Sequence, residues 1–288
     1  MKEVARKGLQ LMVTLNDLKS RYQDYLQYER GLAKQTVKSY LNDIDRLIAF
    51  VGNSHVEDIT LDQLRAHMRD MAYNGLSANT IRRRIHSLNT LYAWLELEHI
   101  VKEQLPKRLR LPKRKEQVPV WLTADELHRF VTTPSRLQIA WQLLAWFGLR
   151  RAEVLSITWN DIQWEQSLLV VQGKGDVVRF IPIPVPVWEI LWVKWIELEK
   201  PEGRIVPIGK SPFVRAFQRH VKNCGLDPQK VTPHVLRHTF ATTLSAQGTD
   251  ITIIRALLGH KDIKTTLVYV HTNRERLESA MDQYTQNL

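Results

Sequence analysis

Residues 101–119, VKEQLPKRLRLPKRKEQVP, hold three prolines and carry little apolar periodicity. Proline fixes φ and removes a backbone donor, so neither a regular helix nor a central strand is expected to run through such a stretch. The segment therefore divides the 288-residue chain into two parts, each of which must bury a core of its own.

Before the break, residues 14–98 read as four amphipathic helices. Leu18, Tyr22, Tyr25 and Leu26 mark the first; Val37, Tyr40, Leu41, Ile44, Leu47, Ile48 and Val51 mark the second. Thr60 and Gln63 form a capping box for the third, whose stripe is Leu61, Leu64, Met68 and Met71. Ile81, Ile85, Leu88, Tyr92 and Leu95 line the fourth, with Arg82, Arg83 and Arg84 pointing elsewhere. Asp43 and Asp45 fall on the polar side of the second helix and are expected to face solvent. The expected layout is a helical domain over 1–104, a basic linker over 105–119 and a second domain over 120–288.

The second domain mixes signals. Thr123 and Glu126 form another capping box, and Ile139, Leu143, Leu144 and Phe147 mark a helix ending near Gly148. SLLVVQGKGDVVRFIPI is two β-rich runs joined by a Gly-Lys-Gly-Asp turn, a hairpin signature. Helices resume around 187–199 and 212–223, then after Thr232 as N-cap with Pro233 in the first turn, and again over DITIIRALLG, which Gly259 ends. The final NRERLESAMDQYTQNL reads as a short helix that Asn273 caps, with a stripe of Leu277, Ala280, Met281 and Tyr284 that needs a partner surface. The fold class is mainly α with a small β-sheet.

A net charge of +11 and a pI near 9.8 make a polyanion the expected partner. Seven of the basic residues fall between 102 and 115 against one acid, in a pattern that suits an extended segment lying along phosphates. Lys107, Arg108, Arg110, Lys113, Arg114 and Lys115, with Arg82, Arg83 and Arg84, are the candidate contacts to such a polyanion. The single cysteine, Cys224, excludes an intrachain disulfide. The apolar run near the N-terminus is too short and broken for a signal peptide, and no stretch is long enough to span a bilayer, so a cytoplasmic location is expected.

The stretch TPHVLRHTF places His234, Arg237 and His238 on or beside one helix face. Two histidines four apart can share zinc, but the metalloprotease pattern needs a glutamate where Val235 stands, and Arg237 would set a fixed cation beside the metal. No metal is expected. Three such groups call for an anion. Upstream, FGLRRAE supplies Arg150 and Glu153, and the hairpin tip supplies Lys174; downstream, LLGHKDIKTTLVYVH supplies His260 and Tyr269.

These motifs, in this order, resemble the tyrosine recombinase (integrase) family and within it the two-domain Xer-like members. GLRRAE is similar to that family's first-arginine box, GKG to its hairpin lysine, HVLRH to its histidine and second arginine, LGH to its second histidine and TTLVY to its nucleophile. Val270 stands before His271 where relatives often have threonine. The resemblance spans about residues 14–288 and implies a SAM-like core-binding domain joined to a catalytic domain around duplex DNA.

On that reading Arg150 and Arg237 hold the nonbridging oxygens of a phosphodiester, because a guanidinium is a flat, permanently charged fork. His234 and His260 add hydrogen bonds, Tyr269 attacks, and Lys174 protonates the departing 5′ oxygen. Glu153 steadies the cationic cluster, with His238 in a similar supporting place. The resemblance also implies paired inverted half-sites in double-stranded DNA, a homotetramer on two duplexes, no cofactor, and a terminal helix that docks on a neighbouring subunit, with docking in cis as the alternative. An accessory activator protein, and chromosome dimer resolution against integration or excision, stay open. Three other readings compete: a metal-dependent nuclease, a topoisomerase-like nicking-closing enzyme, and an architectural DNA-binding protein without chemistry.

Overall fold

The computed structural model describes residues 13–114, 120–173, 178–259 and 266–286, the last with side chains from 275 onward. The chain forms two compact units, Met1–Gln117 and Val118–Leu288. It is mostly helical, with one small sheet.

In the first unit, α1 (Leu15–Asp24) starts at Thr14, whose hydroxyl and backbone exchange hydrogen bonds with Asp17, and runs into a π-helical turn at Tyr25–Glu29. It is followed by α2 (Lys34–Val51), α3 (Leu61–Tyr73) behind the expected Thr60–Gln63 capping box, and α4 (Ala78–Leu97). The predicted stripes meet in the core, where Leu18, Tyr22, Ile44, Leu47, Leu64, Ile85, Leu88 and Leu95 are all buried. Asp43 departs from expectation. It is 3% exposed, and Arg83 grips it with two bonds, Nη1 to Oδ2 at 2.7 Å and Nη2 to Oδ1 at 3.0 Å. A carboxylate tolerates such a place only when paired, and α4 supplies the partner.

The segment after α4 is not extended throughout. Leu105–Arg108 forms a 3₁₀ turn, Pro106 is buried, and Leu109 joins the first unit's core. Two apolar side chains at this spacing are enough to fold the first part of the basic run back onto α3 and α4.

The second unit contains α5 (Ala124–Thr132) behind the Thr123–Glu126 capping box, α6 (Gln138–Phe147) and α7 (Arg151–Ser156). An antiparallel sheet follows in the order β1 (Ile162–Gln163), β2 (Leu168–Gln172), β3 (Val178–Pro182), with Val170 opposite Phe180. Then come α8 (Val185–Glu197), α9 (Lys210–Asn223), α10 (Pro233–Ala246) and α11 (Ile251–Leu258). Thr232 caps α10 through Val235 N–H, with Pro233 in the first turn as predicted.

The last element corrects one expectation. α12 (Thr266–Thr285) is one continuous helix, so Asn273 lies inside it and caps nothing. Its stripe packs in cis: Leu277, Ala280, Met281 and Tyr284 belong to the second unit's own core, and Tyr284 Oη donates to the Ala145 carbonyl at 2.7 Å. The Tyr284 ring meets Phe240 of α10 edge-on, centroids 4.7 Å apart. In the single chain the stripe finds its partner at home, which is the cis alternative.

Candidate active site

The site begins where α6 stops. Gly148 ends the helix in the left-handed region at φ +55°, and a Cβ there would lie 2.7 Å from Phe240 Cδ1, so only glycine fits. The chain then turns extended at Arg150, the residue before α7. Glu153, three residues on, accepts the Arg150 backbone N–H at 2.8 Å and its Nη1 at 2.7 Å. The short spacing in GLRRAE thus fixes one guanidinium against one carboxylate at a helix start.

Two further arginines arrive from distant elements. Arg237, one turn into α10, donates Nη1 to the Gly148 carbonyl at 2.8 Å and Nη2 to the Leu258 carbonyl. Arg179 comes up from β3, only 1% exposed. Its Nη1 and Nη2 bind Glu153 Oε1 and Oε2 at 3.0 and 2.8 Å, and its Nε reaches the Leu257 carbonyl at 2.8 Å. The carbonyl ends of α6 and α11 are where helices have unsatisfied acceptors and a partial negative charge, which is why cations settle there. Gly259 makes the approach feasible: a Cβ on it would lie 2.9 Å from Arg179 Cδ.

Among the described residues, three guanidiniums therefore surround one carboxylate, an excess of two positive charges. Burial pushes the Glu153 carboxyl up, but hydrogen bonds and charge from Arg179, then the bonds from Arg150, outweigh it and hold the group at about 2. Arg237 is lowered to about 10 by burial first and by repulsion from Arg150 and Arg179 next, with Glu153 opposing. It stays a cation at neutral pH. Arg150 is the member that faces outward, its side chain 36% exposed.

Arg150 and His234 line the same cleft, about 520 Å³, walled by Phe213, Phe217, Val231 and Pro233. His234 is exposed on the first turn of α10; His238, one turn later, is also exposed and lies edge-on to Trp121 at 6.4 Å between ring centroids. Lys174 and His260 lie outside the described residues, and Tyr269 is described only as a backbone position on α12. Lys174 falls between the ends of β2 and β3, and His260 directly follows Gly259. Among the described residues, no three His, Cys, Asp or Glu side chains gather where an ion could sit, and no helix is long and apolar enough to cross a membrane.

The candidate DNA contacts separate into groups. Arg83 is committed to Asp43 and Ser39 Oγ, and Arg84 lies 3.7 Å from the same carboxylate. Arg82 donates to the Pro112 carbonyl, and Arg108 pairs with Glu103. Lys107, Arg110, Lys113 and Arg114 are exposed, and Lys115 lies outside the described residues. Arg179 was not among the expected site residues. The available signal was an arginine set within an apolar strand, VRFIP, where a buried cation demands a buried anion.

A profile for the phage integrase family matches residues 116–276, and one for the phage integrase N-terminal SAM-like domain matches residues 20–99. A tyrosine recombinase of Thermosipho africanus (strain TCF52B) is 30% identical over 266 residues, covering 87% of this chain and 93% of that protein. The tyrosine recombinase XerC of Oceanobacillus iheyensis (strain DSM 14371) is 30% identical over 285 residues, covering 89% and 92%. The fold is that of lambda integrase, solved as a tetramer bound to a Holliday junction: TM-score 0.72 at 23% identity, covering 88% of this chain and 79% of that one. The chain belongs to the phage integrase family of tyrosine recombinases, enzymes of site-specific DNA recombination that cut and rejoin DNA strands.

Proposed function

We propose that this chain binds duplex DNA at paired inverted half-sites and exchanges strands through a covalent tyrosyl intermediate, with the residues in the following roles. Tyr269 Oη attacks a backbone phosphorus; a 3′-phosphotyrosine bond forms as the bond from phosphorus to the 5′ oxygen breaks. The tyrosine proton passes to His234, and the 5′ oxygen takes a proton from Lys174. Arg150 and Arg237 bind the nonbridging oxygens, where negative charge grows in the crowded transition state, and His260 adds a hydrogen bond. Attack of another strand's 5′ hydroxyl reverses the step. The bond energy is kept in the ester, so neither ATP nor a metal is required.

The observation that carries this reading is the cationic excess among the described residues: three arginines against Glu153, with Arg150 open to a cleft. A buried surplus of charge is costly unless an anion completes it, and a phosphodiester supplies that anion. Four protomers on two duplexes is the assembly we propose, supported by the lambda integrase tetramer bound to a Holliday junction. Action on chromosomal or mobile DNA places the protein in the cytoplasm.

The test starts from a duplex enriched by binding from a pool of randomised inverted repeats, then nicked so that the cleaved fragment diffuses away. Incubated in EDTA and resolved on a denaturing gel, the wild type should give a covalent adduct that Tyr269→Phe does not. Arg150→Ala and Arg237→Ala should lose the adduct and keep much of the binding. Binding without an adduct would point to an architectural protein, and loss of cleavage in EDTA to a metal-dependent nuclease. Exchange between two duplexes distinguishes recombination from nicking and closing.

A further inference from the structure

Arg179 has no part in the roles above, yet among the described residues it is the most deeply buried charged side chain of the second unit, and it touches Glu153 and the end of α11. It bonds both oxygens of Glu153 and caps the Leu257 carbonyl. It also rides on β3, the strand that leaves the hairpin whose tip carries Lys174.

We infer that Arg179 is a positioning residue for strand cleavage: acting through Glu153, it fixes the guanidinium of Arg150 in the orientation that receives the phosphate. The inference rests on the role proposed for Arg150. The geometry makes a chain of three links. Arg179 occupies one oxygen of Glu153 with each terminal nitrogen, so the carboxylate plane cannot rotate. Glu153 then presents Oε2 to the Arg150 backbone and Oε1 to its Nη1. Arg150, more than a third exposed, is thereby held firmly at Nη1, while its Nη2 makes only a long 3.5 Å bond to the Gly259 carbonyl, which leaves its exposed part for a ligand. A surface arginine without such a brace samples many rotamers, and ordering it during the reaction costs free energy that the brace has already met.

The charges facing Glu153 make the same point. Among the described residues they are Arg150 before α7, Arg179 on β3 and Arg237 on α10, the last at 4.0 Å; α11 contributes only backbone carbonyls to this cluster. Arg179 is the only one of the three that binds both carboxylate oxygens through its side chain. Arg150 is half turned to solvent, and Arg237 is already spent on two carbonyls. Without Arg179, burial regains its weight and Glu153 becomes easier to protonate. A neutral Glu153 cannot brace Arg150 from two oxygens.

Two variants and a double variant test this on the nicked, binding-selected duplex, measuring single-turnover adduct formation and DNA affinity separately. Arg179→Lys keeps the charge but not the fork; Arg179→Gln loses both. Each should slow adduct formation at pH 7.5 by about 10- to 100-fold with affinity within about threefold of wild type. In Arg179→Lys the rate should also fall as pH drops from 7.5 to 5.5 more steeply than in wild type, a change that a merely structural residue would not produce. The double variant Glu153→Gln/Arg179→Gln removes both members of the buried ion pair together and leaves Arg237 on its two carbonyls, so it keeps the test valid if a single variant unfolds. It should be no more than about threefold slower than Glu153→Gln alone, because Arg179 acts through the carboxylate that is already gone. Near-wild-type rates in the single variants, or fully additive losses in the double variant, overturn the positioning role and leave the cleavage reading intact. A wild-type chain that forms no adduct overturns the cleavage reading, and this inference with it.

Discussion

Arg237 donates its Nη1 to the carbonyl oxygen of Gly148 at 2.8 Å, so the second arginine of the site hangs from the residue that ends α6. Position 148 cannot carry a side chain: φ is +55°, and a Cβ would meet the Phe240 ring at 2.7 and 2.9 Å. Phe240 is fully buried between α6 and Tyr284 and has nowhere to retreat. Gly148→Ala should cost about 2–4 kcal/mol in urea unfolding, from strained backbone plus overpacking. Adduct formation should fall with it, even under conditions where the protein remains folded, because the carbonyl that anchors Arg237 is displaced.

Glu153 gives the protein a defined acid sensitivity. Its carboxyl sits at about 2 in the folded chain against an ordinary value of 4.5. A carboxylate lowered on folding contributes stability above its unfolded value, and that contribution is lost as pH falls toward the folded one. The full contribution is about 3 kcal/mol at neutral pH. The stability gap between wild type and Glu153→Gln should be constant from pH 7 to 5. It should narrow below about 4.5 and lose roughly half its value by pH 3. Denaturant titrations across that range measure it, and a gap that ignores pH would show that the carboxylate is not held as described.

In the first unit, the arginines of the RRR run should behave unlike the exposed cations that follow. Arg83→Met leaves Asp43, 3% exposed, with only Arg84 at 3.7 Å, and should destabilise the unit by about 2–4 kcal/mol. Arg110→Ala and Lys113→Ala remove exposed charges and should change stability by less than about 0.5 kcal/mol. If these two contact phosphates, each change lowers the slope of log affinity against log salt by about 1. Thermal melts and binding titrations at several salt concentrations separate the two effects.

The terminal helix is a structural part of the second unit. Met281→Ala should cost about 2–4 kcal/mol, since Met281 is fully buried, and Tyr284→Phe about 1 kcal/mol for the lost bond to Ala145. Deleting residues 277–288 should lower the melting temperature sharply. A truncated chain that melts like the full one would show that the stripe does not pack where it is placed here.

Much of this was legible in the sequence because it rests on local rules. Thr60–Gln63 and Thr123–Glu126 satisfy helix-end donors within four residues, and Arg150 reaches Glu153 across a single turn. What escaped depends on pairing across long separations. Asp43 looks like a solvent-facing acid until Arg83, forty residues later, folds over it. Arg179 reads as one polar residue within a β-run until the fold brings Glu153 beneath it. Asn273 has the chemistry of an N-cap, but a cap exists only where a helix begins, and α12 had begun at Thr266. Periodicity could find the Leu277–Tyr284 stripe but could not say whose core it enters.

The unbroken run of α12 has a mechanical result. Tyr269 and Tyr284 stand fifteen residues apart on one rod, about 22 Å at 1.5 Å per residue. Tyr284 is clamped under Phe240 and Ala145, so the rod behaves as a boom whose counterweight is sunk in the interior. A tilt of about 5° at the clamp swings the other end by about 2 Å, more than the tolerance for in-line attack. The aim of the proposed nucleophile is thus set by packing four turns away.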